Sequence, residues 1–308
     1  MKNWDVVLLT QNRYVNPTEL TKSAQNILKE DALLQEALEE LGLKVCRKAW
    51  DDTQFDWSSA HALLFRATWD YFERIDEFKS WLQEVRQQAL LINPADLIEW
   101  NLDKHYLLEL ENRGIRIPNT LLLEKGSTST LKEHYAELQA QGATDKRCVL
   151  KPCISGGAWH TYLIEADQID EFEEVYRTLI AQESFLLQEF QFNVPEEGER
   201  SYMVFGGEFS HAVLKKAKAG DFRVQDDFGG SLHQCLPTEE EQAIAMKVVE
   251  ACPGNALYAR VDLFKDNHNE WALAEIELIE PELWFRKNKQ SASRLADAVK
   301  HFLDEKTT

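Results

Sequence analysis

Cysteine is scarce: 308 residues contain only Cys46, Cys148, Cys153, Cys235 and Cys252, and no two are spaced as CxxC. A scattered, odd set excludes a disulfide framework or zinc knuckle as the organising principle and fits a reducing cytoplasm. Positive charge is short too, with 34 Lys and Arg against 53 Asp and Glu and a formal net charge of −19. That argues against a broad basic face for nucleic acid, since such affinity comes largely from Lys and Arg on phosphates, and leaves room only for a local basic pocket. No run approaches the roughly 18 apolar residues of a membrane span, and the opening MKNWDVVLLTQNRYV reads as a first strand, not a signal peptide. Internal repeats and low-complexity linkers are absent. The eight histidines show no HxxxH or HxH pairing, so a histidine-built metal site is not expected. There is no GxSxG elbow, and Cys153 has no evident histidine partner in the sequence. What is left is a globular composition at a length that suggests two domains or one subdivided domain.

The hydrophobic pattern divides the chain. Short apolar runs at 5–9, 43–46, 62–65 and 90–93 alternate with helical periodicity at 18–41 and 74–87. This predicts a small parallel sheet covered by helices, closing near residue 95. WNLDKHYLLELENRG then reads as one helix stopped by Gly114. A strand in IRIPNTLLL, a helix at 131–141 and a strand at 148–150 follow, the last running into Lys151-Pro152 and a glycine-bearing loop. Beyond a strand at 161–164, a helix at 168–182 and a strand at 185–189, strands dominate. A hairpin through Gly206-Gly207 precedes a helix at 239–251, two long strands at 257–264 and 271–279, and a closing helix at 291–304.

The two long strands carry the strongest chemical signal. Side chains alternate along a strand, so Arg260 and Asp262 share one face of LYARVDLF, and Glu275 and Glu277 share one face of LAEIELIE. Paired as a hairpin, they would gather three carboxylates on one side of a sheet. Such a cluster repels itself unless a cation sits in it or protons are taken up. Hard oxygen donors suit Mg²⁺, which commonly bridges protein carboxylates to substrate phosphates. A solvated acidic face is the alternative. KPCISGGAWHT is the second signal: Lys151 is followed by Ser155, Gly156 and Gly157, and glycine lets main-chain N–H groups approach phosphate oxygens. An ordinary hairpin turn is the alternative, and the spacing is not the Walker pattern. Lys104, Lys215, Lys216, Lys218 and Arg223 are the basic residues between and around these segments.

Taken in order, these pieces resemble the ATP-grasp superfamily, most closely its branch near prokaryotic glutathione synthetase. RATWDY followed by a helix and INPADLIEWNLDKHYLLEL also resemble relatives of the cycloserine-forming ligase. The resemblance implies an α/β (α+β) ATP-grasp fold, with an N-terminal parallel-sheet domain at 1–95 and two α+β subdomains, 96–184 and 185–308, enclosing a nucleotide. By position, Lys104 and Lys151 match the lysines on the nucleotide phosphates, and Ser155, Gly156 and Gly157 match the loop that closes over them. Gln188, Glu189 and Gln191 fall at the adenine edge, and Glu199 falls at the ribose hydroxyls. Lys216 and Arg223 fall where basic side chains meet the γ-phosphate and an acyl-phosphate intermediate. Asp262, Glu275 and Glu277 match the magnesium ligands, although the glutathione synthetase pattern has Asn in place of Glu277. Ala158-Trp159 stand where the family carries glycine. In the first domain, Arg66 ends an apolar strand, a usual place for a substrate contact in an open α/β sheet, and a salt-bridged surface arginine is the alternative. The implied activity is an ATP- and Mg²⁺-dependent ligase acting on a small amino acid, peptide or related acid in the cytoplasm, without nucleic acid or membrane. A nucleotide-binding module without turnover and a small-molecule kinase are the rival readings. Oligomeric state stays open.

Overall fold

The computed structural model describes residues 2–307 apart from 158, 219, 222 and 225–228; Ala158 of the glycine loop therefore lies outside the described residues. The first sheet has the order β2-β1-β3-β4, all parallel, from β1 (Trp4–Thr10), β2 (Val45–Ala49), β3 (Ala60–Ala67) and β4 (Leu90–Ile92). Its strands are apolar at successive positions because both faces are covered. Val7, Leu9, Leu63 and Phe65 pack with Trp50, Trp57 and α2 (Ile75–Val85), while Val6, Leu8 and Leu64 pack with α1 (Lys22–Glu40), whose first turn is capped by Thr21 Oγ1.

The second sheet, β5-β8-β6-β7, is antiparallel and comprises β5 (Thr120–Leu123), β6 (Cys148–Pro152), β7 (Tyr162–Ile164) and β8 (Phe185–Glu189). It packs on α5 (Leu131–Ala140) and α6 (Ile169–Ile180). The third sheet is also antiparallel, in the order β11-β10-β9-β12-β13, from β9 (Glu199–Phe205), β10 (Glu208–Lys216), β11 (Ser231–Cys235), β12 (Tyr258–Lys265) and β13 (Trp271–Glu277). Gly206 and Gly207 both have positive φ and turn β9 into β10 as the hairpin pattern requires. One face of this sheet packs on α4 (Tyr106–Asn112) and α8 (Glu239–Glu250). The closing helix α9 (Gln290–Thr307) shares a core with α1 and with Met203, Phe205, Val213 and Tyr258 of the third sheet. No helix among the described residues is long and apolar enough to cross a membrane.

The mixed parallel and antiparallel architecture is the one expected, but three boundaries differ. The helix expected across WNLDKHYLLELENRG is two helices, α3 (Ala95–Asn101) and α4, with Lys104 in the turn between them. β8 pairs with β5 and β6, so the second sheet runs to Glu189 and a division after 184 would cut it. The strand β11 and the short α7 (Asn193–Glu197) were not anticipated, because neither has an apolar repeat.

The outer edge of β13 explains the break between α3 and α4. Asn101 Nδ2 donates to Ile276 O at 2.8 Å and its Oδ1 accepts from Leu278 N at 2.8 Å, so a side chain takes the place of a neighbouring strand. Asn93 does the same at the junction with the first domain: Nδ2 donates to Tyr258 O (2.8 Å) and Leu278 O (2.7 Å), and Oδ1 accepts from Leu257 N at 2.6 Å. Asn93 is fully buried. Asn93→Ala should therefore remove the side-chain partner of four main-chain groups, Leu257 N, Tyr258 N, Tyr258 O and Leu278 O, and cost about 3 kcal/mol. Urea unfolding followed by tryptophan fluorescence checks this, and an unchanged midpoint would contradict it.

Candidate active site

Strand register builds the site from the third sheet upward. Asp262 lies opposite both Glu275 and Ser201, and Arg260 lies opposite Glu277 and Met203. Glu199 lies opposite Lys215. Glu199, Lys215, Arg260, Asp262, Glu275 and Glu277 thus share one face, and Tyr202, Val204, Val261, Leu263 and Ile276 form the apolar face behind them. Gly198 allows the close approach that starts β9: its φ is +90°, and a Cβ there would sit 2.4 Å from Lys215 O.

Cations separate the acids. Arg260 forks onto Asp262 (Nε to Oδ1 3.1 Å, Nη2 to Oδ2 2.8 Å) and also contacts Glu277. Lys215 Nζ lies 2.9 Å from Asp262 Oδ2 and contacts Glu199. Lys104 reaches across from the α3–α4 turn, with Nζ 3.2 Å from Glu275 Oε1 and 2.7 Å from Ser155 O. Held this way, Asp262, Glu275 and Glu277 are not drawn within 4.8 Å of one another. Burial opposes ionisation of Asp262, yet Arg260 and Lys215 hold its carboxyl well below the usual range. Glu277 goes the other way: burial raises it, and repulsion from Glu275 and Asp262 adds to burial against the pull of Arg260. Glu280, just past β13, is pushed up to about 8 by burial, with the charge of Glu277 adding to it. Repulsion among the acids thus adds to burial on this face despite the cations beside them. Three hard oxygen donors with surplus negative charge fit a bound Mg²⁺.

This face floors a cleft of about 850 Å³. The opposite wall is the second sheet and its glycine loop. Lys151, on β6, has no ion pair among the described residues, and burial pushes it down to about 8, with Lys104 adding repulsion against the pull of Glu275. Ser155, Gly156 and Gly157 follow, and Phe72 of the first domain packs so closely on Gly156 that a Cβ there would lie 2.9 Å from the ring. The end wall at 188–191 is pre-formed. The Glu189 carboxylate accepts from Thr144 Oγ1 (2.7 Å), Asp145 N (2.9 Å) and Asn267 Nδ2 (3.0 Å), and Gln188 donates to Thr120 Oγ1 at 2.8 Å. Gln191 bridges Glu189 O and Asn267 N, each at 3.1 Å.

Lys104, Lys151, Ser155, Gly156, Gly157, Gln188, Glu189, Gln191, Glu199, Arg223, Asp262, Glu275 and Glu277 all line this cleft, as do Trp159 and Trp284. Arg223 forks onto Asp221 at its rim. Two candidates stand elsewhere. Lys216 follows Lys215 on β10 and so points to the other face; Lys215 is the residue in the cleft. Arg66 is buried beside Asp31 (3.4 Å), with its guanidinium over the Phe285 ring, and does not line the cleft. Sequence reasoning named Lys215 in the basic cluster but gave its place to Lys216, and it left Arg260 and Glu280 out of the site. Arg260 was legible, since it alternates onto the face of Asp262. Glu280 was not, because it lies beyond the regular strand.

The family model described as RimK-like ATP-grasp domain matches residues 103–278, and that of the D-cycloserine synthetase DcsG N-terminal domain matches residues 6–93. The cycloserine biosynthesis protein DcsG of Streptomyces lavendulae is 27% identical over 285 residues, covering 86% of this chain and 91% of that protein. A solved D-cycloserine synthetase DcsG structure superposes with a TM-score of 0.84 at 24% identity, covering 97% of this chain and 99% of the other. D-alanine–D-alanine ligase from Bacillus anthracis, solved with ATP, gives a TM-score of 0.64 at 12% identity, with 98% of each chain covered. The two structural likenesses show the fold.

Lys151 supplies a test of the site's electrostatics. Its folded pKa lies below the ordinary value, so between about 8 and 10.5 the unfolded chain binds the extra proton. The penalty for charging Lys151 is thus full below pH 8 and relieved as pH rises through that window. Lys151→Met should melt higher than wild type at pH 7 without ligand, and the gap should narrow towards pH 10. A variant that melts lower at pH 7 would mark Lys151 as a structural cation.

Proposed function

Because a RimK-like ATP-grasp domain spans residues 103–278, the chain belongs to that ATP-grasp family, and we propose that it is an ATP- and Mg²⁺-dependent ligase. In the proposed reaction a substrate carboxylate, or carboxylate-like oxygen, takes the terminal phosphoryl group of ATP. An amine or other nucleophile then displaces phosphate from the acyl phosphate. The observation that carries this reading is the meeting of Lys104 and Lys151 with Asp262, Glu275 and Glu277 in one cleft.

Each group has a part in that reading. Lys104 and Lys151 hold phosphate oxygens, and the main chain of Ser155, Gly156 and Gly157 closes over them. The edge at 188–191 receives the base, and Glu199 receives the ribose. Asp262, Glu275 and Glu277 hold Mg²⁺, which when bound neutralises charge on the transferring phosphoryl group. Lys215 takes the role first given to Lys216, because it is the lysine in the cleft, and Arg223 meets the same developing charge from the rim. Positioning and electrostatics supply most of the rate, and closure excludes water that would hydrolyse the intermediate. Arg66 acts as a buried brace for the first domain. The likeness to a D-cycloserine synthetase supports a small amino-acid-derived substrate, with ring closure as one form of the same chemistry. Five free cysteines support action in a reducing cytoplasm.

Calorimetric titration with a non-hydrolysable ATP analogue, with and without Mg²⁺, should show binding strengthened by the metal. ATP turnover against a panel of amino acids and their derivatives should release ADP and phosphate together with an amide, peptide or ring. Absence of analogue binding in both conditions would overturn the assignment. A phosphorylated product without phosphate release would identify a kinase, and binding without turnover across the panel would favour a regulatory module.

A further inference from the structure

Outside the cleft lining, the α3–α4 turn and the end of β6 bring together three side chains of mixed donor type. Asp103, His105 and Cys153 each offer a ligand atom, and these atoms lie within 4.8 Å of one another, the one such group among the described residues. The sequence pattern hides it, because the turn and the strand end are far apart in the chain. His105 N donates to Asp103 Oδ1 at 3.1 Å and its ring Nδ1 meets the same oxygen, so the two side chains are already set side by side. Lys104 N donates to Cys153 O at 2.8 Å, which fixes the turn against the end of β6.

A second observation points to a ligand. The far ring nitrogen of His105, Nε2, lies 3.4 Å from Glu124 Oε1, and Glu124 Oε2 accepts from Ser184 Oγ at 3.0 Å. A carboxylate on the far nitrogen is the usual outer support of a metal-bound imidazole, because it fixes the tautomer and the ring plane. Cys153 is buried, while the side chains of Asp103 and His105 are 38% and 34% exposed, which gives an ion a way in and leaves room for a water.

We propose that Asp103, His105 and Cys153 form a second metal site, separate from the carboxylates of the cleft, for a thiophilic divalent cation of the zinc class. Thiolate and imidazole donors select zinc over magnesium. The ion takes the place of the proton held between His105 Nδ1 and Asp103 Oδ1 and of the Cys153 thiol proton, and both protons leave to solvent. Thiolate and imidazole bind a metal only without their protons, so affinity rises with pH. Lys104 lies between two of the ligands and Ser155 lies just beyond the third. Occupancy therefore locks the contact between Lys104 and the phosphate loop.

Titration of metal-free full-length protein with Co²⁺ tests the site. One equivalent should give a near-ultraviolet thiolate-to-cobalt band that Zn²⁺ abolishes and Mg²⁺ leaves intact. Cys153→Ser should remove the band, and Glu124→Gln should weaken binding about tenfold. Zn²⁺ should raise the melting temperature of wild type but not of His105→Ala. No band in wild type, or the same band in Cys153→Ser, would overturn the proposal. Because Cys153 is buried and its replacement can disturb folding, His105→Ala provides an independent arm: unchanged Co²⁺ affinity in that half-exposed variant also overturns it.

Discussion

Carboxylates can be buried side by side only if charge of the other sign is buried with them or protons are taken up. On the polar face of the third sheet Arg260 holds Asp262 and Glu277, and Lys215 holds Glu199 and Asp262. Removing one partner from such a set costs far more than the pair contributes, since a charge is left in a dry place. The rest of the site depends on this balance. Register alone puts the six groups on one face, and the glycine at 198 lets the first of them come against β10. Because acid–acid repulsion persists beside the cations, the face suits the Mg²⁺ of the proposed reaction.

The same strand that carries Glu275 and Glu277 is the edge of its sheet, and its outer edge is not left open. Asn101 and Asn93 bond to it as a strand would, and the Tyr106 hydroxyl lies 3.4 Å from Ile276 N. These residues belong to the segment that joins the first domain to the α3–α4 turn, which also carries Lys104. A shift of the first domain against the third sheet would therefore move the acids and Lys104 together. Their shared hydrophobic core, from Val6 and Leu64 through Met203 and Tyr258 to Leu295, opposes such a shift.

Much of this was legible in the sequence, for reasons that can be stated residue by residue. The two-residue alternation in LYARVDLF and LAEIELIE follows from strand geometry, so the grouping of Asp262, Glu275 and Glu277 needed only the pairing of the strands. Lys151 at a strand end before two glycines was readable in the same way. Between Lys215 and Lys216, alternation says that only one can face the acids, but the choice depends on the register of β9 against β10, which is tertiary information. Arg66 looked like a substrate contact because it ends a strand of the first sheet; its partner Asp31 lies on a helix that sequence pattern cannot dock. Asn93 and Asn101 carry no periodic signal, since their role is to pair with an edge that exists only in the folded chain.

Mn²⁺, read by electron paramagnetic resonance in place of Mg²⁺, tests most directly whether this face is a metal site for a nucleotide. With a non-hydrolysable ATP analogue present, wild type should take up Mn²⁺ at the cleft. The Glu275→Gln/Glu277→Gln double variant should bind it at least about tenfold more weakly, having lost two charged ligands, while still melting as a folded protein. Equal Mn²⁺ uptake by the folded double variant and by wild type would contradict the account.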